Sequence, residues 1–242
     1  MKNLKIISIA IVLSYSIILI SCVQTSFNTI GGNGNIIKKE LNIKDFQEVE
    51  ASGAFKIYLI QGSINSISIE TDENLMEYIS IRNQSNRLII ETHENIKPSK
   101  EAIIYLTFID ISSFDISGAC EVIGENHLKF KKIEMEISGA AELSVDMEAA
   151  ETEFDLSGAS DIKLIGKSNM AIIDASGASE ISAKGFVINN CIVDLSGAST
   201  AHLNVNGDLN VSLSGASSLN YYGDAKILRK EIFGASSITN NN

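Results

Sequence analysis

Acidic residues recur at two fixed positions around a Ser-Gly-Ala motif that is repeated through the second half of the chain. Column A lies two residues before the serine of each motif and contains Asp115, Glu136, Asp155, Asp174 and Asp194. Column B lies four residues after that serine and contains Glu121, Glu142, Asp161 and Glu180. Opposed carboxylates repel one another, and Ca²⁺, which prefers several carboxylate oxygens, would relieve that repulsion. The pattern fits either a ladder of cation sites along column A or a solvated acidic face, and we expect the solvated face and no metal site.

Other residues that could do chemistry lack the context that their chemistry requires. Ser160 and Lys163 match the S-x-x-K motif of some hydrolases, but they lie on a predicted strand and no partner motif accompanies them. The histidines at positions 93, 127 and 202 are scattered, without the spacing of zinc ligands. We therefore expect no enzyme activity and no cofactor.

The Ser-Gly-Ala motif itself is the main organising signal of the chain. Its first position is occupied in turn by Ser52, Ser117, Ser138, Ser157, Ser176, Ser196, Ser214 and, as a variant, Phe233. From Ser117 onward the spacings are 21, 19, 19, 20, 18 and 19 residues. Self-similarity at a fixed period of this length predicts a solenoid.

Apolar and polar residues alternate on both sides of each motif. The position three residues before the motif holds Phe114, Met135, Phe154, Ile173, Val193, Val211 and finally Lys230. The position five residues after its start holds Val122, Leu143, Ile162, Ile181, Ala201, Leu219 and Ile238. This period of two indicates strands with one buried face.

Each repeat therefore predicts two strand segments and two turns, which together form one coil of an all-β parallel β-helix. We take this solenoid to be right-handed. Coils of about 19 residues stacked about 4.8 Å apart would give seven coils a length of about 34 Å.

The motif is predicted to form a corner where like residues stack from coil to coil. Gly allows backbone angles that a Cβ forbids, and a side chain there would meet its copies above and below. The structural corner glycines are Gly118, Gly139, Gly158, Gly177, Gly197, Gly215 and Gly234. We expect the alanine of each motif to tuck inward, and the serine to bind neighbouring backbone groups.

The remaining chain divides into a regular and an irregular part. Residues 113–239 are predicted to form the regular β-helix. Residues 41–112 alternate with looser spacing and are predicted to form irregular β-coils that cap it, as terminal repeats of solenoids often do. Within the cap, residues 72–79 predict one short helix with Asp72 as its N-cap.

The N-terminus has the pattern of a lipoprotein signal peptide over residues 1–21. A basic start precedes a 15-residue apolar run, Ile6 to Ile20, which is too short for a membrane-spanning helix. Ser21 then precedes Cys22, the predicted site of lipid attachment and first residue of the mature chain. Residues 22–40 would form a tether. The alternatives are an ordinary signal peptide with an incidental cysteine, and an uncleaved anchor.

Charge limits the partners of the mature chain. Cleavage after residue 21 would remove two of the 19 basic residues and leave all 30 acidic ones, so the net charge becomes −13. A chain without a basic field is not attracted to nucleic acid or to anionic membrane surfaces. We expect attachment to the membrane only through the N-terminal lipid.

The cysteines at positions 120 and 191 are not predicted to form a disulfide. They lie four coils apart, about 19 Å, whereas a disulfide needs Cα atoms within about 7 Å. Both are expected to be buried as small hydrophobic side chains.

Several ordered features resemble a known family. Gly32-Asn33-Gly34-Asn35, the stretch Asp45 to Gly62, the stretch Asp72 to Ile79 and the Ser-Gly-Ala-Ser coils are together similar to the head GIN domain family of autotransporter-adhesin-like envelope proteins, found particularly in Bacteroidetes. The resemblance covers residues 36–237. It implies a β-helix-like solenoid with an irregular N-terminal half, and it brings no catalytic residues.

Together these features predict a non-enzymatic lipoprotein of the bacterial cell envelope, anchored in the outer membrane and exposed at the surface. Its role would be adhesin-like or structural, with an unknown protein or glycan partner and with self-association through the solenoid end as a further option. The alternative is a carbohydrate-binding or polysaccharide-cleaving β-helix protein, which a groove near residues 97–101 would favour.

Overall fold

The computed structural model describes residues 29–242. The predicted signal peptide, Cys22 and the first part of the predicted tether lie outside these residues. Within the described range the chain consists almost entirely of β-strands, with one short 3-10 helix. No helix there is both long and apolar enough to cross a membrane.

The N-terminal part contains nine strands and the 3-10 helix Glu73–Tyr78. The strands are β1 (Ile30–Gly31), β2 (Ile36–Leu41), β3 (Glu48–Gly53), β4 (Lys56–Gln61), β5 (Ser66–Asp72), β6 (Ile79–Gln84), β7 (Arg87–Thr92), β8 (Ile96–Lys97) and β9 (Ile103–Phe108). Three pairs, β2 with β5, β5 with β9 and β6 with β7, are antiparallel. This part is therefore an irregular layer at one end of the molecule.

The remaining strands form the regular solenoid. They are β10 (Ser113–Gly118), β11 (Glu121–Gly124), β12 (Leu128–Ile137), β13 (Glu142–Leu156), β14 (Asp161–Ala175), β15 (Glu180–Leu195), β16 (Thr200–Val205), β17 (Asp208–Leu213), β18 (Ser218–Tyr222), β19 (Lys226–Ile232) and β20 (Ser237–Asn240). Every pairing among them is parallel and joins one coil to the next. The predicted parallel β-solenoid is confirmed.

The first Ser-Gly-Ala motif belongs to the same stack as the others. Strand β3 pairs with β10 in parallel, which places Ser52 opposite Ser117 and Gly53 opposite Gly118. Strand β4 likewise pairs with β11. On their other side β3 and β4 pair in parallel with β7 and β9, so the parallel stack continues by one more layer before the antiparallel strands β5 and β6.

The two apolar columns predicted from the alternation form the core. Phe114 and Leu143, and their counterparts in the following coils up to Val211 and Leu219, are at most 2% exposed. Burial of each such side chain is worth about 1.5–3 kcal/mol. In the last coil the columns end with Lys230, which is exposed, and Ile238, which is partly buried.

The prediction of two strand segments per coil is wrong for the central coils. There β13, β14 and β15 run without interruption for 15 or 16 residues, from one Ser-Gly-Ala corner to the next. Hydrogen bonding to the neighbouring coil continues through the second bend, where Gly166 has a φ of 112°. Only the coils toward the two ends are divided into two strands.

Asp72 does not cap the helix as predicted. Residues 73–78 form a 3-10 helix, and the side chain of Asp72 makes no capping hydrogen bond. Its fully buried carboxylate instead accepts hydrogen bonds from Gly34 N at 2.6 Å, Ser99 N at 2.8 Å and Ser99 Oγ at 2.7 Å. The residue therefore ties the Gly-Asn-Gly-Asn loop to the segment after β8, a contact between parts of the chain that are distant in sequence.

Candidate functional site

The repeated corner forms a glycine ladder along one edge of the solenoid. Its members, Gly53, Gly118, Gly139, Gly158, Gly177, Gly197, Gly215 and Gly234, all have positive φ. A Cβ added to any of the last seven would lie well inside 3.0 Å of the carbonyl oxygen of the preceding ladder glycine. That same oxygen accepts a hydrogen bond from the next coil's alanine, as in Ala159 N to Gly139 O at 2.8 Å. The ladder explains why every coil repeats the glycine.

The alanines of the motif point outward, so the prediction that they tuck inward is wrong. Ala159 is exposed, and the next residue, Ser160, is only 2% exposed. In four successive coils this buried serine hydroxyl donates to the carbonyl of the first serine of its own corner, with Ser217 Oγ to Ser214 O shortest at 2.6 Å. The glycine and the alanine of the corner both face outward, which shifts the alternation of the strand by one residue. The residue after the alanine therefore takes the inward position.

Column A is stacked in register, as the alignment of repeats predicts. Asp115 lies opposite Glu136, and the pairing continues through every member to Asp194. Partial burial, followed by the charges of Asp194 and Asp155, raises the pKa of the Asp174 carboxyl. Burial and the neighbouring like charges therefore both disfavour the ionised form of this carboxyl.

A cation compensates column A at its N-terminal end. Strand β3 extends it by Glu50, opposite Asp115. Arg87 donates to Glu50 Oε2 at 3.0 Å and to Glu48 Oε2 at 3.0 Å. Burial and the charge of Glu50 raise the pKa of Asp115, and Arg87 partly opposes this effect.

Column B is also in register but carries lysines beside it. Lys56 of the preceding coil pairs with Glu121 at 2.9 Å. Lys163 Nζ lies 3.3 Å from Asp161 Oδ2. The other carboxylate oxygen of Asp161 is buried and has no hydrogen-bond partner.

Neither column gathers carboxylates as a metal ion requires. Across residues 29–242 there is no group of three or more His, Cys, Asp or Glu side chains that could hold a metal. Each coil contributes one carboxylate per column, so neighbours meet in pairs along the stack. A Ca²⁺ ion takes six to eight oxygen ligands, and such pairs supply few of them.

A groove that the sequence reasoning missed runs along the solenoid beside column B. This side groove has a volume of about 710 Å³ and crosses five coils. Its floor is one stacked column of outward residues: Ile123, Ser144, Lys163, Ser182 and His202. Alignment of the repeats could have indicated this groove, because the column places a small residue, Ser144 or Ser182, on each side of Lys163.

The rims of the side groove carry mixed chemistry. Glu180 of column B lies on one side, and Asp146, Ile165 and Lys184 lie on the other. Ile165 is 61% exposed. The ammonium of Lys184 lies 4.6 Å from the ring centroid of Tyr222. Tyr222 remains partly exposed on this face, whereas its neighbour Tyr221 is buried.

A smaller cavity of about 340 Å³ lies near residues 97–101, where a groove would favour the carbohydrate-binding or polysaccharide-cleaving alternative. Its lining includes Phe55, Lys56, Pro98 and Glu101. Lys56 there is bound to Glu121 and lies 3.9 Å from Glu101. Its cation is thus already compensated by two carboxylates.

Cys120 and Cys191 are both buried and free, as predicted. Burial raises the pKa of the Cys191 thiol to about 12. The thiol of Cys120 is also shifted upward by burial, so its pKa lies above the ordinary value. Neither side chain is a reactive thiolate near neutral pH.

The sequence matches one described family. The family described as "Putative auto-transporter adhesin, head GIN domain" matches residues 45–225. No protein of curated function matches the chain.

Solved structures from Bacteroidetes share this fold. A "putative adhesin" from Bacteroides fragilis has a TM-score of 0.83 at 20% identity, covering 88% of this chain and all of its own. A "putative lipid binding protein" from Parabacteroides distasonis has a TM-score of 0.70 at 20% identity with the same coverage. A "putative adhesin" from Parabacteroides merdae has a TM-score of 0.63 at 19% identity, covering 88% of this chain and 99% of its own.

Proposed function

Because the chain belongs to the family described as "Putative auto-transporter adhesin, head GIN domain", we propose that it is a lipid-anchored, adhesin-like protein of the bacterial cell envelope. In this proposal Cys22 carries the lipid at the outer membrane. The solenoid then presents its long side faces to a protein or glycan outside the cell. The protein binds its partner and catalyses no reaction.

The observation that carries this proposal is the family match over residues 45–225. The N-terminal pattern supports the anchor, because Ser21-Cys22 follows a short apolar run of signal-peptide length. A lipoprotein with more than one acyl chain is stably held at a membrane. The mature charge of −13 keeps the body of the protein soluble and away from anionic lipid.

The anchor can be tested by expressing the full chain in a Bacteroidetes host. Mass spectrometry of the mature N-terminus should find a diacylated or triacylated Cys22, and Cys22→Ser should release the protein from the membrane fraction. An intact signal peptide, or membrane attachment unchanged by Cys22→Ser, would contradict the anchor.

The adhesive role can be tested on intact cells. Cells that express the protein should lose it to external protease and should attach to arrayed host-matrix proteins or glycans, and cells without the gene should not. Full protection from protease, or equal attachment with and without the gene, would argue for a structural role inside the envelope.

A further inference from the structure

We infer that the side groove is a binding site for an uncharged oligosaccharide lying along the solenoid axis. This inference rests on the proposed adhesin-like function and names the class of ligand. The groove crosses five coils, and its floor residues repeat about every 4.8 Å over a length of about 19 Å. A volume of about 710 Å³ lies within the range of ligand-binding sites.

A buried polar atom without a partner lies at one end of this groove. In the described residues three buried side-chain polar atoms have no hydrogen-bond partner: Thr71 Oγ1, Asp161 Oδ1 and His202 Nδ1. His202 forms the end of the groove floor, whereas Asp161 does not line the groove and instead pairs with the floor residue Lys163. Buried polar groups are nearly always paired, and leaving one unpaired destabilises the protein. A ligand hydroxyl at this end of the groove would give His202 Nδ1 the partner that it lacks.

The pattern of donors and acceptors fits a hydroxyl-rich ligand. The hydroxyls of Ser144 and Ser182 can donate or accept, Lys163 can only donate, and Glu180 when ionised can only accept. A sugar hydroxyl both donates and accepts, so it can pair with each of them. The exposed side chain of Ile165 offers an apolar contact to the C–H groups of a sugar ring.

A peptide partner fits this surface less well. Peptides that add to a sheet bind at an unpaired strand edge through main-chain hydrogen bonds. The side groove lies on a sheet face whose strands β13, β14 and β15 are paired to a coil on each side. A peptide main chain would therefore find no free strand edge in the groove.

A charged polysaccharide is disfavoured by the local charge. Lys163 is paired with Asp161, and Lys184 is placed over Tyr222. Asp146 and Glu180 add negative charge at the rims. The groove has no excess positive charge for sulfate or uronate groups, and the acidic body of the protein repels them.

The test uses the full chain, purified in a detergent without a sugar headgroup. Calorimetric titration with neutral oligomers of glucose, galactose, mannose and N-acetylglucosamine should find saturable binding to at least one of them, and none to heparin. Ser182→Trp fills the groove from an outward position and should weaken binding more than tenfold. His202→Ala should weaken it about threefold to tenfold, the value of one hydrogen bond.

Ser212→Trp is the matched control, because Ser212 is an outward serine on the column A face of another coil. It should leave the affinity unchanged. The inference is overturned if Ser182→Trp binds as the parent does, if heparin binds better than neutral sugars, or if the folded protein binds none of the panel. If no sugar of the panel binds but cells still attach only when they carry the gene, the groove assignment is refuted and the adhesin-like function is not.

Discussion

Replacement of one ladder glycine, Gly158→Ala, should sharply destabilise the solenoid. Gly158 has a φ of 87°, and its added Cβ would press on the carbonyl oxygen of Gly139. An L residue in the left-handed region costs about 1–2 kcal/mol. Displacing Gly139 O also weakens its 2.8 Å hydrogen bond from Ala159 N, worth about 1 kcal/mol. With the shift of the neighbouring coil, we expect a total loss of about 2–4 kcal/mol.

The loss is measurable by thermal unfolding followed by circular dichroism. For a protein of this size about 2–4 °C of Tm are lost per kcal/mol, so Gly158→Ala should lower Tm by about 4–16 °C. Hydrogen exchange of the Ala159 amide should also accelerate, because its acceptor has moved. This local readout separates a broken ladder from a general loss of packing.

Gly185→Ala provides the control within the same solenoid. Gly185 does not have positive φ, and its added Cβ would meet Ile165 at an ordinary distance of 3.6 Å. Its free energy of unfolding should change by no more than about 0.5 kcal/mol. If both variants lowered Tm equally, the argument that the ladder requires glycine would be refuted.

Four further predictions concern charge and the two ends of the molecule. Asp174→Asn removes two like-charge pairs, with Asp155 and Asp194, each worth about 0.2–1 kcal/mol, so it should raise Tm by about 1–8 °C. Asp110→Asn, outside the columns, is the control, and an equal rise there would exclude column repulsion as the cause. Asp72→Asn should accelerate hydrogen exchange in the Gly-Asn-Gly-Asn loop. The hydrogen bonds from Ser99 lower the pKa of Asp72 in the folded protein. The stabilisation that Asp72 contributes is therefore present above the carboxyl's unfolded pKa and should be lost as pH falls through its folded pKa. Unchanged hydrogen exchange of the loop across that pH range would contradict the role of Asp72 in holding it. Millimolar Ca²⁺ should leave Tm unchanged, and a rise that Asp174→Asn abolishes would restore the cation ladder. Lys230→Val removes a charge from an inward column at the open end of the solenoid. It should promote self-association, measured by light scattering, because an inward charge on an edge strand blocks edge pairing. A variant that stays monomeric would show that another feature protects this end.

Local sequence determined the coil of this protein. The alternation around each motif defines which side chains face the core, since a strand turns successive residues to opposite sides. The recurring glycine marks a corner because only that residue tolerates both the positive φ and the carbonyl of the coil above. The period, the core columns and the register of columns A and B therefore follow from aligning the repeats.

Tertiary structure decided what the alignment could not. The outward position of Ala159 and the inward position of Ser160 depend on how the corner shifts the alternation, and the motif letters do not reveal this. Asp72 accepts hydrogen bonds from Gly34 and Ser99, which are 38 and 27 residues away from it in the sequence. The side groove arises from the relative size of residues in five stacked coils and from the bends between them. These features depend on contacts across coils, and such contacts exist only once the chain has wound upon itself.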